Sequence, residues 1–114
     1  MSFWRKEVID FALDHETRQH IEEQRAAIER NPSDPRPYHN LAQLYRMQSR
    51  QDEALGLLLE AVRLNPAYAD AHVALAEIYA VRADHAAAWH HARAAERAGN
   101  ASAVDLLTRH SITP

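Results

Sequence analysis

Between Tyr38 and Met47 the apolar residues Tyr38, Leu41, Ala42 and Tyr45 fall at i, i+3, i+4 and i+7, with polar residues between them. That spacing lines one face of an amphipathic helix. From Asp52 to Leu64 the residues Ala54, Leu55, Leu58, Ala61 and Val62 repeat the pattern for a second helix. Asn31-Pro32 and Asn65-Pro66 interrupt it, because proline lacks an amide proton and disfavours helix at the residue before it. Asp34-Pro35 and Asp84 have the chemistry of helix starts and Gly99 that of a helix stop. The pattern predicts helices near 2–14, 17–30, 35–48, 51–64, 68–81, 84–98 and 101–110. The last of these would cover the end of the molecule through Val104, Leu106 and Leu107, leaving the polar tail Ser111 to Pro114 frayed.

The pattern also repeats. Sliding the sequence along itself until Tyr38 meets His72 also places Leu41 on Leu75, Ala42 on Ala76, Tyr45 on Tyr79, Ala54 on Ala88 and Ala61 on Ala95. The same shift in the opposite direction places Tyr38 on Trp4, Tyr45 on Phe11, Ala61 on Ala27 and Pro66 on Pro32. Small residues at Ala42, Ala54 and Ala61 allow helix backbones to approach closely, with aromatic rings filling the space beside them. One helix pair alone would leave an apolar face in water, so stacked neighbours are needed to form a core.

This arrangement resembles the tetratricopeptide repeat family, carried most fully by Tyr38, Leu41, Ala42, Tyr45, Ala54, Leu58, Ala61 and Pro66. The next unit departs from the family at His72, Ala92 and Asn100, and the segment 1–33 matches only at Trp4, Phe11, Ala27 and Pro32. The resemblance implies an all-α fold, a right-handed α-solenoid of antiparallel helix pairs. Residues 1–114 would form one domain: a divergent first repeat at 1–33, repeats at 34–67 and 68–100, and a capping helix at 101–110.

Composition narrows the setting. The net charge of −3 gives no electrostatic reason to expect nucleic acid or an anionic membrane as partner. With no cysteine, disulfides and thiolate chemistry are excluded. No apolar run approaches the ~20 residues that span a bilayer, and Met1 to Glu7 is too charged for a secretory leader. A cytoplasmic location is the expectation. Among the 13 basic residues Lys6 is the one lysine, an arginine bias that hints at a GC-rich bacterial genome.

By resemblance, the first helix of each pair would line a concave groove that receives a peptide or helix of another protein. The groove residues would be Arg5, Lys6, Ile9 and Leu13, then Arg36, His39, Asn40, Gln43, Arg46 and Met47, then Asp70, Val73, Ala74, Glu77 and Val81. An asparagine such as Asn40 has both donor and acceptor for an extended backbone. The family's carboxylate clamp for chaperone tails is largely missing: Arg5 and Asn40 fit it, whereas Ile9, Asp70 and Ala74 do not. The alternatives are self-assembly through an end face bearing Leu106 and Ile112, or a non-catalytic accessory role beside an enzyme such as a glycosyltransferase.

Catalysis within the chain is not expected, and neither is a cofactor. Two glycines, Gly56 and Gly99, cannot build a phosphate-cradling loop. The adjacent pairs Glu22-Glu23 and Asp52-Glu53 read as solvated charge. The eight histidines lack metal-ligand spacing. His15 and His20 are five apart, about 140° around a helix, and His90 and His91 diverge by about 100°. A cross-helix site from His72 with His90 or His91 is the remaining metal arrangement, against surface histidines or a shell around Trp89.

Overall fold

Two kinds of turn join the helices and set them back to back. The computed structural model describes the backbone of residues 2–114 and the side chains of residues 14–114. Among the described residues there are six helices and no strand: α1 (Ser2–Arg30), α2 (Pro35–Met47), α3 (Gln51–Leu64), α4 (Ala69–Val81), α5 (His85–Arg97) and α6 (Ser102–Arg109).

The ends of α2 and α4 reverse the chain through a left-handed residue, Ser49 and Ala83, each with φ of 60°. After α2, the amide of Ser49 bonds the carbonyl of Arg46 and that of Arg50 the carbonyl of Tyr45; after α4, Ala83 and Asp84 bond Ala80 and Tyr79 in the same way. This double bond is the Schellman motif, which satisfies carbonyls that the helix leaves open. Gly99 (φ 103°) and Ser111 (φ 57°) end α5 and α6 likewise.

The ends of α1 and α3 use the Asn-Pro pairs instead. The side-chain oxygens of Asn31 and Asn65 accept the amides of Ser33 and Ala67, at 3.2 and 3.1 Å. Such side-chain-to-backbone turns are what short polar residues supply where a helix must stop. Asp34 then caps α2, accepting the Arg36 amide at 3.0 Å with Pro35 in the first turn, and Asp84 caps α5 through the Ala87 amide.

Each helix packs on its neighbour in sequence, and α6 also reaches back to α4. The interior holds Leu41, Tyr45, Leu58, Leu75 and Ile78, with Ala42, Ala54, Ala61 and Ala71 fully buried between backbones. A second cluster of Ala76, Ala88, Trp89, Ala92, Ala103 and Leu107 closes the far end. Burying one such leucine stabilises the fold by roughly 1.5–3 kcal/mol.

Two expectations are corrected. Residues 1–33 were expected to hold two helices meeting near residue 15, but α1 runs unbroken from Ser2 to Arg30. The physical reason is local: Asp14-His15-Glu16-Thr17 contains neither proline nor glycine, so no residue there ends the i→i+4 ladder. The C-terminal half of α1 is fixed to α2 by Ile21 in the core and by Arg25, whose Nε donates to the Tyr45 hydroxyl at 3.1 Å. The tail is not frayed either. The Trp89 indole N–H donates to the Ile112 carbonyl at 2.9 Å, and Ile112 packs against the second cluster. No described helix is long and apolar enough to cross a membrane.

Candidate functional site

Of the residues expected in the groove from α2 and α4, Gln43, Arg46, Met47, Glu77 and Val81 stand at or beside the C-terminal turns of the two helices, and the others are placed elsewhere. His39 is half-buried with its ring tilted against Tyr68, centroids 5.3 Å apart. Burial pushes the His39 imidazole below its usual value despite the opposing pull of Asp70, and burial pushes the Tyr68 phenol up. A turn further along α2, Gln43 accepts from Arg46 at 3.2 Å, and Arg46 reaches across to Glu77 of α4 at 3.5 Å. Beyond them Met47 and Val81 stand 74% and 89% exposed, unusual values for large apolar side chains flanked by helices.

These side chains border two adjoining recesses. One, of about 430 Å³, is lined by Gln43, Arg46, Met47 and Gln51. The other, more enclosed and about 120 Å³, is lined by Arg46, Gln51, Ile78, Val81 and Arg82. Arg82 is itself paired with Asp52 of α3. The two cations at this surface, Arg46 and Arg82, are therefore each matched by a carboxylate, and the recesses offer apolar area and amide groups rather than net charge.

The remaining expected residues sit differently. Ala74 is 1% exposed and belongs to the core, so it offers nothing to a partner. Arg36 turns back on its own helix cap, Asp34, by two side-chain bonds of 3.0 and 2.9 Å. That hydrogen bonding holds the Asp34 carboxyl below the usual carboxylate range and raises the guanidinium. Asn40 is exposed and donates to Gln24 of α1 at 3.3 Å, toward the α1 side of α2. Asp70 accepts from Asn100 at 3.4 Å, and Val73 is half-buried against the second core cluster. The side chains of Arg5, Lys6, Ile9 and Leu13 lie outside those described.

The sequence brought His72 and His91 together only as a conceivable cross-helix metal arrangement; it did not give their interior hydrogen bond. Neither is a surface residue: both are buried, and their Nδ1 atoms lie 3.0 Å apart, a hydrogen-bond separation. The available signal was a doubled replacement in one register, since His72 and His91 stand one repeat period after Tyr38 and Leu57. Among the described residues no group of three or more His, Cys, Asp or Glu is placed to hold a metal ion.

Helices joined by two recurring turn types, with residues one period apart in equivalent roles, define an all-α helical-repeat protein. Residues 25–56, from the end of α1 through α2 into α3, match the family profile of the tetratricopeptide repeat. Among solved structures, the TPR2B domain of yeast Sti1, in its complex with pHsp70, is similar with a TM-score of 0.69. The likeness covers 93% of this chain and 85% of that one at 20% identity, and it is a likeness of fold. No curated protein sequence matches the chain.

Proposed function

We propose that this chain is a non-catalytic interaction module that holds a peptide or helix of another protein along the surface shared by α2 and α4. The observation that carries the reading is the pair Met47 and Val81. They are repeat-equivalent, one period apart, and left exposed beside recesses that Arg46 and Gln51 join. Contiguous apolar surface rimmed by polar groups marks a surface that takes a partner, and Met47 and Val81 line adjoining recesses. Gln43 and Gln51 supply donors and acceptors for an extended backbone or a helix's polar flank. The end face is less suited to self-assembly, because Ile112 is already used within the cap. The resemblance of fold to an interaction domain supports the reading without naming a partner.

Peptides selected from a random displayed library, titrated against the wild type and two variants, test it. Met47→Ala/Gln43→Ala is expected to weaken the selected peptide at least tenfold, about 1.4 kcal/mol. Arg63→Ala, on an exposed part of α3, is expected to leave it unchanged. Unaltered binding to the first variant together with loss in the second overturns the assignment.

A further inference from the structure

Tyr38 and His72 occupy the same register, and each makes the same bond. The Tyr38 hydroxyl donates to the Pro32 carbonyl at 3.0 Å, and one period on Nε2 of His72 lies 2.8 Å from the Pro66 carbonyl. A carbonyl only accepts, so Nε2 of His72 carries a proton. A neutral imidazole has one N–H, which makes its Nδ1 an acceptor. The phenol ring of tyrosine has no such second polar atom. Here it lies in a residue 6% exposed, where an unpaired acceptor would be costly.

His91 answers it. Its Nδ1, 3.0 Å from Nδ1 of His72, makes a hydrogen bond only if it carries the proton. Both tautomers are then fixed: His91 Nδ1–H donates to His72 Nδ1, and His72 Nε2–H donates to Pro66. Both nitrogens of His72 are occupied, and the open nitrogen of the pair is Nε2 of His91. Tyr79 of α4 lies parallel to the His91 ring, 6° between planes and centroids 5.6 Å apart. His90 of α5 meets it edge-on at 4.9 Å.

We propose that His72 and His91 form a proton-operated latch between α4 and α5, closed while both rings are neutral and opened by proton uptake. A proton taken up at Nε2 of His91 leaves the Nδ1–H bond in place. It is the charge, set in a seam walled by His72 and Tyr79 from α4 and by His90 from α5, that disfavours the closed pair. The groups that act on His91 besides burial are His72 and His90, both of which disfavour the charge, and no carboxylate is among them. These causes lower the His91 imidazole to about 4. Because this value is depressed, the stabilisation is complete above the unfolded value, near 6.5, and is lost as pH falls toward about 4. In a stack where each helix contacts mainly its neighbours, that loss is felt first at α5 and α6.

Native-state hydrogen exchange, corrected for intrinsic rates, reads the latch directly. The opening equilibrium of α5 amides is expected to rise roughly fifteenfold between pH 6.5 and pH 5, with α2 amides rising much less. His91→Asn, whose side-chain amide can donate in place of Nδ1–H without titrating, is expected to flatten the rise. His90→Gln is expected to keep it. Long-range proton–nitrogen spectra of the wild type at pH 7 are expected to show His91 protonated on Nδ1 and His72 on Nε2, a readout independent of any variant. The reverse tautomer at His91, or α5 opening that does not change from pH 6.5 to 5 in the wild type, overturns the proposal. So does a rise that persists in a folded His91→Asn protein.

Discussion

Gly56 and Gly99 are the two glycines of the chain, and replacing each by alanine is predicted to have opposite effects. Gly99 holds φ at 103°, a conformation that strains any L side chain, so Gly99→Ala costs about 1 kcal/mol or more. Gly56 lies within α3 with nothing inside 4 Å of where a Cβ would stand, so Gly56→Ala stabilises by about 0.5–1 kcal/mol. The same logic applies at Ala83, where φ is 60° on a residue with a Cβ. Ala83→Gly is predicted to be neutral or stabilising, by up to about 1 kcal/mol, against the usual cost of adding a glycine. Urea unfolding of the three variants checks all three signs. The latch belongs to this scale too: one ring exchanged for another at position 72 brings a surplus nitrogen, and position 91 changes with it.

At the scale of the element, each helix is defined as much by what stops it as by its apolar stripe. The stripe of α3 buries Leu58 completely and leaves Leu59 40% exposed. Leu58→Ala is predicted to cost about 2–5 kcal/mol and Leu59→Ala under about 1 kcal/mol, measured by the same unfolding curves. The stripes and stops from Asn31 to His110 were legible because proline, asparagine and the repeat register agree there. The positions of Ser49 and Ala83 carry no such residue, and their left-handed turns come from packing of the flanking helices. The break expected near residue 15 rested on register alone. Without glycine, proline or a cap, Asp14 to Thr17 continue the helix. Backbone carbon shifts across Asp14–Thr17 are predicted to be helical throughout, and extended values at two adjacent residues would contradict a single α1.

For the whole molecule, packing of each helix on its sequence neighbour builds the fold from local contacts and brings the C-terminal turn of α2 within reach of α4, where Arg46 meets Glu77. The candidate surface was partly legible. His39, Gln43, Arg46, Met47 and Glu77 follow from the family resemblance, which assigns the first helix of each pair to the groove. What the pattern could not give was depth and side-chain direction: Ala74 sinks because α4 is covered on several sides, and Arg36 is drawn to the cap that starts its own helix. The most direct test of the account maps a selected peptide onto the isotope-labelled domain by amide shift changes. The account predicts that the largest changes fall on α2 and α4, at Gln43, Arg46, Met47, Glu77 and Val81. Changes concentrated on the outer faces of α3 and α5, or on α6 and the tail, would contradict it.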